Sequence, residues 1–164
     1  MAPDLLVRRA RSHDTAVISR LNNTFADHGQ MLRRTPDMIA LAIDDYVVVQ
    51  NGSGQLLACG ALKEYSPSVA EIAAVAVSQD AHGKGLGRAI VSAVELLARR
   101  RGIYDVFALT LQPEFFAAIG YLRVDRARYP EKIRRDCLAC ERRFACTEIC
   151  FAKTLTIETN FRAA

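Results

Sequence analysis

The sequence predicts an α/β domain whose sheet starts as an antiparallel run and gains a parallel strand through a helical crossover. Three observations carry this reading. Residues 46–50 (YVVVQ) and 55–62 (QLLACGAL) are β-rich runs parted by Asn51-Gly52-Ser53-Gly54, the composition of a hairpin turn. A third apolar run, residues 70–77, extends them into a meander. It then leads into a glycine-spaced loop, Gly83-Lys84-Gly85-Leu86-Gly87, an amphipathic segment and a buried-type strand at 106–110. Strand, loop, helix and strand in that order make a right-handed βαβ unit.

The remaining elements follow in order. Residues 5–9 form a first strand, and Ser12-His13-Asp14 are capping residues ahead of a helix whose apolar face is Ala16, Val17, Ile18 and Leu21. Residues 22–34, punctuated by Gly29, read as a bent helix and loop. Thr35-Pro36-Asp37 then starts a second helix running to residue 43. After the glycine loop, Ile90, Val91, Val94, Leu97 and Ala98 share one helical face, with Glu95 and Arg99 outside it, and Arg99-Arg100-Arg101-Gly102 ends the helix. Pro113 opens a short helix on which Phe115, Phe116 and Ile119 face one way and which Gly120 stops. Residues 151–157 make the last strand, and the tail beyond frays.

The chain has 164 residues, 51% of them hydrophobic and 24% charged, which fits one domain (1–164) with a full core. A net charge of +4 suits acidic ligands such as a pyrophosphate or a dicarboxylate. The aromatic content of 7% is not interleaved with the basic runs, which demotes nucleic acid despite Arg134, Arg135, Arg142 and Arg143. No apolar run approaches the roughly 20 residues that span a bilayer, and residues 1–14 lack a signal-peptide core. A cytoplasmic protein without membrane contact is the expectation.

Glycines at 83, 85 and 87 let the backbone turn through positive φ and present several N–H groups at a helix start, where an anion binds. The spacing is not that of a Walker A loop. It also runs G-x-G-x-G rather than G-x-G-x-x-G, so nucleoside triphosphates and NAD are set aside.

His82-Gly83-Lys84-Gly85-Leu86-Gly87, following Val75-Ala76-Val77-Ser78, resembles the acetyl-CoA loop of the GNAT N-acetyltransferases, with His82 where the family carries Arg or Gln. Phe115-Phe116 with Gly120-Tyr121 resembles the second signature of that family, some 30 residues on. The resemblance implies a single-domain GNAT fold, a mixed central sheet with helices on both faces. It further implies acetyl-CoA held by Val75, Ala76, Val77, His82, Gly83, Lys84, Gly85, Leu86, Gly87 and Arg88, with Phe115 and Phe116 along the coenzyme and Tyr121 near the thioester. Backbone N–H groups of Val75 and Val77 would hold the pantetheine arm and polarise the carbonyl.

Arg8, the 29–35 segment GQMLRRT, Ala70-Glu71-Ile72-Ala73, Tyr129-Pro130-Glu131-Lys132 and Asp136-Cys137 are similar to short single-domain N-acetylglutamate synthases, which lack an amino-acid-kinase-like domain. That similarity implies glutamate as acceptor and a place in arginine biosynthesis. It leaves open both feedback by arginine and a homodimer.

Acetyl transfer to an α-amine needs a neutral amine, a polarised thioester and a proton for the departing thiolate. Glu71, at the head of an apolar strand, is the candidate base, unless it is a solvated strand-end carboxylate. Tyr121 or Thr110 is the candidate acid, Tyr121 reading equally as a packing aromatic. Arg8, Arg34 and Lys132 are the candidate donors for a dicarboxylate, although Arg33-Arg34 also reads as exposed surface.

Four cysteines, Cys137, Cys140, Cys146 and Cys150, have the donor count of a structural tetrahedral zinc, with an iron-sulfur cluster less favoured and free thiols the plain alternative. Cys59 reads as core. The rival functions are transfer to another amine (another amino acid, a polyamine, an aminoglycoside or a protein N-terminus), a non-catalytic acyl-CoA sensor or zinc-bearing interaction module, and a nucleic-acid binder.

Overall fold

The computed structural model describes residues 4–157. Among the described residues seven strands form one mixed sheet in the order β1-β2-β3-β4-β5-β7-β6. The described chain divides into two compact units, residues 4–63 with 72–96 and residues 64–71 with 97–157.

In the first unit β1 (Leu6–Arg9) pairs antiparallel with β2 (Tyr46–Gln50), which pairs antiparallel with β3 (Leu56–Ser66). Alternation along β3 decides what packs where. Cys59 and Ala61 join Ile18 of α1 (Thr15–Ala26), Ile39 of α2 (Pro36–Leu41), Tyr46 and Val48 in one core cluster. Gly60 points the other way, toward Ile90 and Val94 of α3 (Leu86–Arg100) and Val75 of β4 (Val69–Val77). Helices therefore cover both faces of these strands. α2 starts where the sequence places it, with Thr35 Oγ1 accepting from the Met38 N–H at 3.2 Å and Pro36 in its first turn.

Asp14 does not cap α1. Its carboxylate takes the Arg11 backbone N–H at 2.7 Å and the Arg8 guanidinium instead. Ala74 in β4 has φ +53, a left-handed conformation that costs a non-glycine residue about 1–2 kcal/mol.

α3 buries Ile90, Val91, Val94, Leu97 and Ala98 as the spacing predicts. Glu95, placed outside that face by the sequence, is only 7% exposed, because it follows Val91 by one helical turn, whereas Leu96 is 42% exposed.

In the second unit the first residues of β4 pair in parallel with β5 (Asp105–Thr110), Val69 opposite Asp105 and Glu71 opposite Phe107. β7 (Ile149–Thr154) runs antiparallel to β5, Thr110 facing Ile149. β7 thus starts and ends earlier than the 151–157 run suggests. Leu155 leaves the ladder with its N–H on Tyr104 O at 2.7 Å. The tail expectation beyond 157 lies outside the described residues. A two-residue strand, β6 (Leu122–Arg123), pairs with β7. It follows α4 (Pro113–Ala118), and α5 (Pro130–Arg135) comes before the cysteine segment. The core here is Tyr65, Phe107, Tyr129, Cys150 and Ala152, with Phe107 and Tyr129 stacked at 4.0 Å between ring centroids.

Candidate functional site

Glu71 enters the second unit's core as the last residue of β4 that pairs with β5, opposite Phe107. Its residue is 6% exposed, which removes the reading of a solvated strand-end carboxylate. Two groups hold it. Tyr65, near the end of β3, has its hydroxyl 2.8 Å from Glu71 Oε2, and Lys132 of α5 donates to the same oxygen at 2.9 Å. Asp136, one turn beyond Lys132, accepts from Lys132 Nζ at 3.1 Å and also bonds the Tyr65 hydroxyl. The Arg135 guanidinium lies 5.1 Å from the Tyr65 ring centroid.

The charges settle in one direction. Burial opposes the Lys132 ammonium most, yet Glu71 and Asp136 together raise its pKa above the ordinary value. Burial, then the two carboxylates, hold the Tyr65 phenol firmly protonated. Glu148 is a further acid of this region. Burial first and Glu71 second push its carboxyl upward, against Lys132, Arg126 and Arg142.

Two residues named from sequence, Glu71 and Lys132, therefore meet. Tyr65, Asp136 and Glu148 were not singled out as site residues. An acid interrupting an apolar strand marks Glu71, whereas a tyrosine in a strand reads as core. Lys132 spends two of its three donors on the chain's own carboxylates, so it serves first as their counter-ion.

Other candidates of this unit turn out differently. Phe116 is 6% exposed and packed edge-on to Tyr121 at 5.2 Å and against Phe151 at 6.5 Å, a core position that leaves little surface for a coenzyme. Phe115, half-buried, meets Phe116 edge-on at 5.1 Å. Tyr121 is 2% exposed with Lys153 Nζ 5.4 Å from its ring. Thr110 Oγ1 accepts the Gln112 N–H at 2.8 Å, fixing the turn into α4.

The four-thiolate metal site is corrected. Among the described residues no group of three or more His, Cys, Asp or Glu side chains is placed to share a metal ion. Cys150 instead packs in the core beside Phe107 and Tyr129, where burial pushes its thiol up to about 11. Cys146 Sγ is held by Arg126, 3.7 Å from both terminal nitrogens, and all five cysteines are free thiols.

The first unit holds the glycine loop. Gly83 and Gly85 have φ +77 and +76, and the space where a side chain would begin is open at both. Leu86 and Ala81, each 3% exposed, anchor the loop, so Leu86 can offer a ligand only its backbone. The loop feeds α3, and Lys84 and Arg88 add positive charge at that helix start. His82 closes the turn on its own chain, with Nε2 2.8 Å from Val77 O and its ring stacked on Phe25 at 6.2 Å. Ala76 is 3% exposed within the core cluster, between Val75 and Val77 on β4.

Arg8, a sequence candidate for the acceptor, is engaged within its own chain. Its guanidinium bonds Asp14 through both terminal nitrogens at 2.8 and 3.0 Å, Gln50 Oε1 at 2.7 Å and Arg9 O at 3.0 Å, which leaves one donor of five. Arg34, partly buried, lies near the Tyr46 phenol, where its charge opposes the upward push of burial on that hydroxyl.

The comparisons agree with this architecture. Residues 16–125 match the Acetyltransferase (GNAT) family. An uncharacterized N-acetyltransferase of Chlorobaculum tepidum is 39% identical over 154 residues, covering 94% of this chain and 99% of that protein. An amino-acid acetyltransferase of Mycobacterium tuberculosis is 34% identical over 124 residues, covering 73% of this chain and 70% of its own length. Among solved structures, N-acetylglutamate synthase from Neisseria gonorrhoeae complexed with coenzyme A and N-acetyl-glutamate superposes with a TM-score of 0.83 at 27% identity. This similarity covers 93% of the chain but only 35% of that synthase. Among the described residues no helix is long and apolar enough to cross a membrane. The sequence signatures, the mixed sheet and these likenesses agree that the chain belongs to the GNAT family of acetyltransferases.

Proposed function

We propose that the chain transfers an acetyl group from acetyl-CoA directly to the α-amine of a small amino acid, L-glutamate first, as in the N-acetylglutamate step of arginine biosynthesis. The observation that carries this reading is the buried Glu71 carboxylate, fixed by Tyr65 and Lys132. An acid so placed is suited to remove a proton from an ammonium group, where general-base catalysis contributes about 10²–10⁴ in rate. The relatives support the substrate class by the acceptors in their names and by the N-acetyl-glutamate bound to the gonococcal synthase.

The coenzyme supplies the acetyl thioester when bound. On this chain, the backbone of residues 83–87, with Lys84 and Arg88, has the open turn and positive charge to hold its phosphates. Glu71 takes the ammonium proton. Thr110 is the candidate to protonate the thiolate: with its oxygen fixed by the Gln112 N–H, its O–H remains available to donate. Tyr121 is the other candidate. Arg34 and the remaining donor of Lys132 are candidates to meet the acceptor's carboxylates.

Glu71→Gln tests the reading. Acetyl transfer is expected to fall by about 10² or more with coenzyme binding retained. Unchanged turnover in that variant would remove Glu71 as the base. Coenzyme binding without turnover by the wild type on any amine would instead favour the sensor.

A further inference from the structure

The Tyr65 hydroxyl touches more carboxylate than one proton can serve. Its Oη lies 2.8 Å from Glu71 Oε2 and bonds Asp136 Oδ2 as well. A phenol has one O–H to donate, and an ionised carboxylate only accepts. Both contacts are hydrogen bonds at once only if one carboxyl carries a proton, given to Tyr65 Oη while Tyr65 gives its own to the other. Lys132 donates to the same two carboxylate oxygens, at 2.9 and 3.1 Å, which holds the acids together without supplying an acceptor. The two ends of this chain differ in exposure: the Glu71 side chain is 8% exposed and the Asp136 side chain 26%. Beside it, a cleft of about 60 Å³ bordered by Tyr65, Ser66, Phe107 and Lys132 has room for water.

We propose that Tyr65 and Asp136 form the exit path for the proton that Glu71 removes. The inference rests on Glu71 being the base. Acetylation turns an ammonium with three N–H bonds into an amide with one. One of the two protons released goes to the thiolate sulfur, and the other must leave the protein in every turnover.

In the resting chain Asp136 holds the extra proton and donates to Tyr65, which donates to ionised Glu71. After Glu71 takes the ammonium proton, Asp136 releases its own to water. Tyr65 then passes its proton to Asp136 as it receives the one on Glu71, which restores the start. Tyr65 remains a neutral phenol throughout, in keeping with the carboxylates around it. Other charged or titratable groups facing this path include Lys132, Arg135 over the Tyr65 ring, Cys137 toward Asp136, and Glu148 and Cys150 toward Glu71.

A merely structural role, tying α5 to β3 and β4, would use the same contacts, so the test needs a readout that packing does not move. Tyr65→Phe and Asp136→Asn are compared with wild type at fixed pH and ionic strength while imidazole, a small proton acceptor, is raised. Exit through this path predicts kcat lower by roughly tenfold or more at low imidazole. It also predicts recovery as imidazole rises, with KM for acetyl-CoA unchanged. A kcat within twofold of wild type, or a loss that imidazole leaves untouched, would overturn the proposal. If one variant loses its far-UV circular dichroism, the other carries the test. Glu71→Gln in parallel separates the two readings. Its inactivity at every imidazole concentration keeps the base whether or not the exit stands, and wild-type turnover in it removes the base itself.

Discussion

Arg8 and Asp14 form a little-exposed ion pair between β1 and the turn ahead of α1. Their side chains are 13% and 4% exposed, and removing one partner of such a pair leaves a buried charge uncompensated, at a cost of about 3 kcal/mol or more. Asp14→Asn is therefore expected to lower the unfolding free energy obtained from urea titration by about that amount at neutral pH. Burial raises the Asp14 pKa most, but the Arg8 hydrogen bond, the Arg11 N–H and nearby charge outweigh it and hold the carboxyl below its ordinary value. The stability it contributes is present above the unfolded carboxylate range near pH 4 and is lost as pH falls through the lower folded value. Urea titrations between about pH 2 and 7 should show a shallower acid loss in Asp14→Asn than in wild type. The sequence shows Arg8 as a cation in a strand but not its pairing with Asp14. Likewise Tyr65 meets Asp136 from 71 positions away, a distance at which no local pattern reports.

The elements with a sustained period were the legible ones. β2 matches the sequence reading at both ends, and β4 and β5 match to one residue, because uninterrupted apolar runs bounded by turn residues admit little else. α5, of six residues, and β6, of two, were missed, since neither is long enough to show a period. The cost falls on the site, because α5 carries Lys132 and leads into Asp136. Gly60 shows packing that the sequence hides inside a plain β run. A Cβ there would collide with Ile90 Cγ2 and stand 3.4 Å from Val94 Cγ2, so Gly60→Ala overpacks the junction of β3 and α3. The expected loss is about 1–3 kcal/mol by chemical denaturation. Stability unchanged within 0.5 kcal/mol, the ordinary range of a surface substitution, would mean that α3 is not seated against Gly60.

For the whole molecule, the two glycine-bearing signatures in the right order were enough to read the family, while the cysteine count misled. Donor number says nothing of direction, and Cys150 turns into the core from β7. Burial pushes Cys150 up to about 11 and Cys59 to about 12, so neither forms the reactive thiolate near neutrality. A native thiol titration at pH 8 should find no more than three of the five cysteines reactive, and all five in denaturant. Acceptor choice is the least legible property, because the chain's own carboxylates occupy donors that the sequence reserves for a ligand. The central claim is therefore tested most directly by release of free coenzyme A thiol from acetyl-CoA. The assay takes a panel of L-glutamate, other amino acids, polyamines and aminoglycosides, with wild type and Glu71→Gln. Turnover with glutamate that falls by about 10² or more in the variant is the result expected. Turnover confined to cationic amines, or turnover with glutamate that Glu71→Gln leaves intact, would contradict the account.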